Sequence, residues 1–145
     1  MSATADHAEE RTSLAARLGI QPGQVVQEIG YDEDVDHELR EAIQETSGKE
    51  LVDEDYDDVA DAVVVWFRED DGDLTDALVD ATTLIDEGAP LVLLTPKTGR
   101  DGYVEPSDIN EAAQTAGLSQ TKTLSVGKDW TGSRLVTPKA AAKKR

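Results

Sequence analysis

The sequence predicts an α/β fold: a single three-layer Rossmann-like domain whose sheet is mainly parallel and ends in an antiparallel C-terminal hairpin. Three observations predict it. Ala62-Val63-Val64-Val65-Trp66-Phe67 and Pro90-Leu91-Val92-Leu93-Leu94 are near-continuous apolar runs, as expected of strands covered on both faces. Stretches with helical spacing alternate with these runs, which implies right-handed crossovers between parallel strands. No helical stretch separates the last two strands, so they pair most simply as a hairpin at a sheet edge.

The elements follow in order. Residues 1–10 are expected to be disordered, 11–138 to form the domain, and 139–145 to be a basic flexible tail. Glu9 to Leu18 can form a short helix, with Leu14 and Leu18 on one face and Gly19 as its stop. Gln21-Pro22-Gly23 is turn chemistry and leads into a first strand, Gln24 to Ile29, closed by Gly30. Asp32-Glu33-Asp34 precede Val35, Leu39 and Ile43, spaced by four; acids there favour a helix N-terminus, and Gly48 ends that helix. Glu50 to Val52 reads as a short second strand, and Asp53 to Asp58 as a charged surface loop. The central strand runs from Asp61 to Phe67, and Asp70-Asp71-Gly72-Asp73 is a turn. Leu74, Leu78, Ala81 and Ile85 mark a helix ended by Gly88. Leu91 to Thr95 is a buried strand stopped by Pro96, and Lys97 to Glu105 a Gly-containing loop. Pro106-Ser107-Asp108 opens a helix that closes at Gly117. Two strands follow, Gln120 to Val126 and Arg134 to Thr137, with Gly127, Asp129 and Gly132 as turn residues between them. There is no internal repeat. This order is similar to a shortened class I methyltransferase-like sheet, a likeness of fold that does not fix function.

Composition narrows the function classes. The chain has 145 residues, enough for one core. Hydrophobic residues make up 38% and charged residues 31%, a mixture near that of disordered chains, so the clustering of the apolar residues decides for folding. Cysteine is absent, which removes disulfides, thiolate nucleophiles and thiolate-held metals. No secretory start and no membrane-length apolar run is visible, so a cytoplasmic protein is expected. The formal charge of −17 is uneven: Met1 to Pro96 carries −21 and Lys97 to Arg145 carries +4. Such an acidic body repels phosphate backbones and disfavours nucleic acid. It serves as a solubilising surface or as an electrostatic face for a basic protein partner.

Four stretches are candidates for chemistry. Glu28-Ile29-Gly30-Tyr31-Asp32 follows the first strand, where doubly wound folds bind ligands, but a lone Gly followed by Asp32, Glu33, Asp34 and Asp36 would repel a pyrophosphate. Thr95-Pro96-Lys97-Thr98-Gly99-Arg100-Asp101-Gly102-Tyr103 is the one basic, glycine-containing loop after a buried strand. Lys97 and Arg100 there could hold an anion or a partner, or pair with the acidic body; the P-loop spacing is not met. Trp66-Phe67-Arg68-Glu69-Asp70-Asp71-Gly72-Asp73 ends the central strand. Asp70, Asp71 and Asp73 resemble a calcium loop only loosely, without the required spacing, so a capped turn is the simpler reading and a Mg²⁺ site from one or two carboxylates the alternative. Lys128-Asp129-Trp130-Thr131-Gly132-Ser133-Arg134 places a Trp and an Arg in the last hairpin, for core packing or for a partner contact. His7 and His37 lack a neighbouring nucleophile, so a Ser or Cys hydrolase triad has no support.

Leu18-Gly19-Ile20-Gln21-Pro22-Gly23-Gln24-Val25-Val26, Gly30 to Asp36, Asp70 to Leu74, Leu94 to Val104 and Asp129 to Leu135 closely resemble the actinobacterial family catalogued as domain of unknown function 3052. The resemblance spans Leu14 to Lys139. It implies an actinobacterial cytoplasmic protein and lends no activity and no site residues.

The leading expectation is a non-catalytic regulatory or adaptor module that binds another protein. Its candidate ligand- or partner-binding residues are Lys97, Thr98, Gly99, Arg100, Tyr103, Trp130 and Arg134. No catalytic residue, metal or cofactor is expected. The alternative is a small-ligand protein or enzyme of methyltransferase-like descent that takes an anionic ligand, with the ligand across Gly30, the end of the Trp66 strand and the Lys97 loop.

Overall fold

The apolar blocks become the centre of a five-stranded sheet in the order β1-β2-β3-β5-β4. In this computed structural model residues 14–86 and 88–137 are described. The strands are β1 (Val26–Ile29), β2 (Ala62–Trp66), β3 (Leu91–Pro96), β4 (Ser119–Val126) and β5 (Trp130–Val136). The helices used below are α1 (His37–Ser47), α2 (Leu74–Thr82) and α3 (Pro106–Thr115); residues 14–17 are also helical, and Glu69–Asp71 forms one 3-10 turn. β1, β2 and β3 are parallel, and β5 inserts antiparallel between β3 and β4. Four strands therefore point one way and β5 alone the other. The expected disordered N-terminus and basic tail lie outside the described residues.

β2 and β3 are buried at every position, which is why their sequences do not alternate. Their side chains divide between two cores. Ala62, Val64, Trp66, Val92 and Leu94 pack under Leu39, Ala42 and Ile43 of α1, together with Leu18 and Ile20. Val63, Val65, Leu91 and Leu93 pack under Leu74 and Leu78 of α2 and Ile109, Ala112 and Ala113 of α3. Each fully buried Leu or Val contributes about 1.5–3 kcal/mol, so the two faces together make the three layers self-supporting.

The helices form where the spacing places them, though α1 starts at His37, after Val35 rather than before it. Asp36 caps α1 by accepting from the Leu39 N–H at 2.9 Å, and Gly48 closes it at φ 80°. Asp73 caps α2 through the Asp76 N–H at 3.1 Å. Pro106 opens α3.

Three expectations need correction. Glu50 to Val52 is no strand: Val52 makes a single parallel bridge to Gln27 on the outer edge of β1, because the charged loop that follows at once leaves no apolar run to extend it. α2 ends at Thr82 rather than running on through Ile85, which leaves the helix to bridge Ala60. Gly132 lies inside β5 rather than in a turn, and β5 begins at Trp130. A Cβ at Gly132 would meet Val126, Leu18 and Leu94 side chains at 3.1–3.3 Å, so a glycine there serves close packing.

Candidate functional site

From β1 the chain passes through α1 to the outer edge, bridges at Val52, and then returns to β2 on the inner side. The carboxyl ends of β1 and β2 therefore flank a reversal of strand order, the position at which doubly wound sheets bind ligands. A crevice of 340 Å³ lies there, with Gly30, Tyr31, Glu54, Trp66, Arg68 and Asp71 among its walls.

Two features shape it. Gly30 sits at φ +83°, and a Cβ on it would lie 2.3 Å from the Trp66 carbonyl oxygen, so the two strand ends touch through bare backbone. Arg68 then fills the crevice. Its Nη1 donates to the Gly30 carbonyl at 2.9 Å, the Trp66 carbonyl at 3.2 Å and Asp71 Oδ2 at 3.2 Å. Its Nε donates to Asp34 Oδ2 at 3.1 Å, and Nη2 pairs with the other oxygen of the same carboxylate. The guanidinium also stands 5.3 Å from the centre of the Trp130 ring. Burial works against the charge on Arg68, but Asp34 and Asp71 hold its pKa above the ordinary arginine range. The hydrogen bond from Arg68 in turn holds Asp34 below its ordinary value, against a smaller opposing effect of burial.

Two further acids of the rim are engaged from within the chain. The Gly30 N–H donates to Glu54 Oε2 at 3.0 Å. Glu28 is 6% exposed, and its carboxylate receives Arg40 at two points and the Trp66 indole at a third. The Glu28 carboxylate holds the Arg40 pKa above its usual range. Beside this group a second cavity of 410 Å³ is walled by Tyr31, Asp53, Glu54 and Asp55, and Tyr31 is 51% exposed. The charge along this rim is acidic, which suits cationic groups and repels phosphates.

The seven predicted site residues do not form one cluster. Lys97, Thr98, Gly99, Arg100 and Tyr103 share the loop after β3. Lys97 Nζ donates to the Gly127 carbonyl at 3.0 Å, and Arg100 pairs with Asp129 at 2.8 Å. Both cations are thus engaged by the β4–β5 turn; the Arg100 pair is over half exposed and worth at most about 1 kcal/mol. Of the two readings for Trp130, core packing is the observed one: it is 3% exposed, meets Trp66 edge-on, and its Nε1 donates to the Asp34 carbonyl at 3.0 Å. Arg134 pairs with Val92 in the sheet, four residues along β5 from Trp130 and so roughly 13 Å from it. Asp71 and Asp73 of the acidic turn serve Arg68 and the α2 cap. Among the described residues no group of three or more His, Cys, Asp or Glu side chains is gathered to hold a metal.

Sequence reasoning singled out Gly30 and the Trp66 strand end but passed over Arg68 with Asp34, and Arg40 with Glu28. A signal existed. Met1 to Pro96 holds five basic residues against 26 acids. Arg68 directly follows the apolar run that ends in Trp66 and Phe67, where a charge needs partners close by.

Comparison with known proteins agrees with this fold. The family described as "Protein of unknown function (DUF3052)" matches residues 15–139. Uncharacterized proteins of Mycobacterium tuberculosis and Mycobacterium bovis are each 50% identical over 141 residues, covering 97% of this chain and 87% of theirs. Among solved structures, the mitomycin 7-O-methyltransferase MmcR is similar at a TM-score of 0.62 and 13% identity, over 90% of this chain and 53% of that one. Magnesium protoporphyrin IX methyltransferase from Synechocystis, with bound SAM, gives 0.55 at 17% identity, over 90% and 79%. A SAM-dependent methyltransferase from Aquifex aeolicus gives 0.56 at 15% identity, over 88% and 90%. At these identities the likeness is one of fold. No helix among the described residues is long and apolar enough to cross a membrane.

Proposed function

We propose that this chain, which belongs to the DUF3052 family of proteins of unknown function, is a non-catalytic module that binds another protein. The observation that carries this reading is Arg68. In a sheet of this order the ligand's place is the crevice between the first strand and its inner neighbour. Here a guanidinium with carbonyl and carboxylate partners on several sides stands in that place, and removing it would take a donor from the Gly30 and Trp66 carbonyls and the counter-charge from Asp34. Glu28, Asp34, Glu54 and Asp71 around it are each engaged by a donor of the chain itself, which leaves them less free to serve a ligand. What remains for recognition is the acidic surface, which favours a partner with a basic face and fast, salt-sensitive association.

The second reading, a small-ligand protein, draws on the SAM-bound fold neighbour and on the crevice volume that Arg68 leaves open. One pair of measurements separates the two. Calorimetric titration of the intact chain with S-adenosylmethionine should give no saturable heat, and native mass spectrometry of protein drawn gently from its own cells should show a stoichiometric protein companion that dissociates as salt rises. A retained small molecule, or saturable binding of S-adenosylmethionine by the unaltered chain, overturns the protein-binding proposal.

A further inference from the structure

The face of the sheet that carries Leu91 and Leu93 changes character toward the carboxyl end of β3. Side chains alternate along a strand, so Thr95 continues the row begun by Leu91 and Leu93, and Thr131 and Ser133 continue the row of Leu135 on β5. At these positions the apolar core gives way to hydroxyls, although Thr95 and Ser133 are only 2% and 1% exposed. Valine and alanine have nearly the same shapes and differ in lacking the hydroxyl, so shape alone does not call for the hydroxyls here.

These hydroxyls open into a cavity of 140 Å³ beneath the loop that follows β3. Pro96, Val104, Pro106 and Ile109 supply its apolar walls, while Thr98 and Tyr103 of the loop stand over it. None of the residues lining it is charged, in a chain of net charge −17. The hydrogen bond given for the Ser133 hydroxyl is long: the Gln120 amide spends one N–H on Thr123 at 2.7 Å and reaches Ser133 with the other only at 3.5 Å.

We infer that this cavity is a binding site for a small neutral polyol. The ligand class follows from the lining. A charged ligand would lose its water with no counter-charge to meet it. A purely apolar ligand would leave the Ser133 hydroxyl without a better partner. A polyol offers both donors and acceptors to hydroxyls that can do either, and lays its C–H groups on the proline, valine and isoleucine walls. The volume equals that of about four or five waters at roughly 30 Å³ each, which is the scale of a three- or four-carbon polyol. The site lies apart from the Arg68 crevice and does not depend on the protein-binding reading.

The test is an amide NMR titration of the full chain with glycerol, erythritol and xylitol, with sodium phosphate and glycine betaine as non-polyol controls. Saturable shifts over the millimolar range, centred on Thr95, Thr98, Tyr103 and Ser133 and absent with the controls, are the expected result. Thr95→Val and Ser133→Ala should each weaken that binding about three- to tenfold, with the rest of the spectrum unchanged. If either variant fails to fold, the other decides. Shifts that stay linear with every polyol would mean that the cavity holds only water, and the proposal falls. Unaltered affinity in a folded variant would also overturn it, since binding would then lie elsewhere.

Discussion

Arg40 grips Glu28 at two points, Nε to Oε2 at 2.7 Å and Nη2 to Oε1 at 2.9 Å, while the Trp66 indole N–H donates to Oε2 at 2.9 Å. The two partners differ in exposure: the Glu28 side chain is 6% exposed and that of Arg40 27%. Removing Arg40 leaves a nearly buried carboxylate without its counter-charge, whereas removing the charge on Glu28 leaves an arginine that can reach water. Arg40→Ala should therefore cost about 3 kcal/mol, and Glu28→Gln, which keeps an acceptor for Trp66, about 1 kcal/mol. Urea unfolding followed by tryptophan fluorescence measures both. Equal losses would show that the asymmetry of exposure does not govern this pair.

Gly30→Ala is expected to be among the most damaging single-methyl additions in the chain. It asks an L-residue to sit at φ +83°, at a cost of about 1–2 kcal/mol, and drives a Cβ to within 2.3 Å of the Trp66 carbonyl oxygen. That oxygen belongs to the backbone of the central sheet and cannot swing aside as a side chain end could. A total loss of about 3 kcal/mol or more follows. Gly48→Ala provides the control, because it has a similar φ of +80° and open space around it. It should show the conformational cost alone, and equal losses at the two sites would remove the steric part of the argument.

The pair of Asp34 with Arg68 gives an acid dependence whose sign is fixed. The hydrogen bond from Arg68 lowers the Asp34 pKa below 3.8 in the folded chain, with burial opposing. A group with a depressed folded pKa contributes its stability above its unfolded pKa and loses it as pH falls through the folded value. The stability advantage of the native chain over Asp34→Asn should thus be constant above about pH 5 and close as the solution is taken below pH 4. Because Asp34 is 56% exposed, added salt should shrink the same advantage at neutral pH. A gap that persists unchanged into strong acid would mean that the carboxylate charge plays no part in it.

The sheet was legible in the sequence because its evidence is local. The apolar runs at Ala62–Trp66 and Leu91-Val92-Leu93-Leu94 and the helix stop at Gly48 each act within a few residues of where they are read, whereas Asp36 and Asp73 were visible as acids but not as caps. The crevice was half legible. Its place followed from the strand order, and Gly30 and the acids near it were visible. Its occupant was not, because Arg68 meets Asp34 and Gly30 across separations of 34 and 38 residues, and no local period encodes such a meeting. The same limit applies to Gly132. A glycine in a hairpin reads as a turn until the packing of Leu18, Leu94 and Val126 against it is known. In the basic loop, charge counted along the chain left open whether the cations pair within the chain, and it could not show that Arg100 pairs with Asp129 or that Lys97 meets the Gly127 carbonyl.

Trp66 and Trp130 stand edge to face, with ring centres 4.9 Å apart and planes at 80°, and they are the only two tryptophans of the chain. Each indole N–H is also committed, Trp66 to Glu28 and Trp130 to the Asp34 carbonyl. The pair joins the end of β2 to the start of β5 across β3, and its Trp130 ring faces the Arg68 guanidinium. An edge-to-face pair adds about 0.5–1.5 kcal/mol beyond area burial, so a double-mutant cycle of Trp66→Leu and Trp130→Leu should return a coupling of about that size. Each single change also strands a polar partner. Trp66→Leu deprives the Glu28 carboxylate of one donor, although Arg40 still holds it. Trp130→Leu deprives the Asp34 carbonyl and removes the ring beneath Arg68, so it should lower stability and also loosen the crevice. Amide hydrogen exchange at Gly30 and Arg68 should then quicken in Trp130→Leu more than in Trp66→Phe, which keeps an aromatic ring in place. If exchange at those two amides is unaffected, Trp130 supports the core alone and Arg68 is held by its carboxylates and carbonyls without help from the ring.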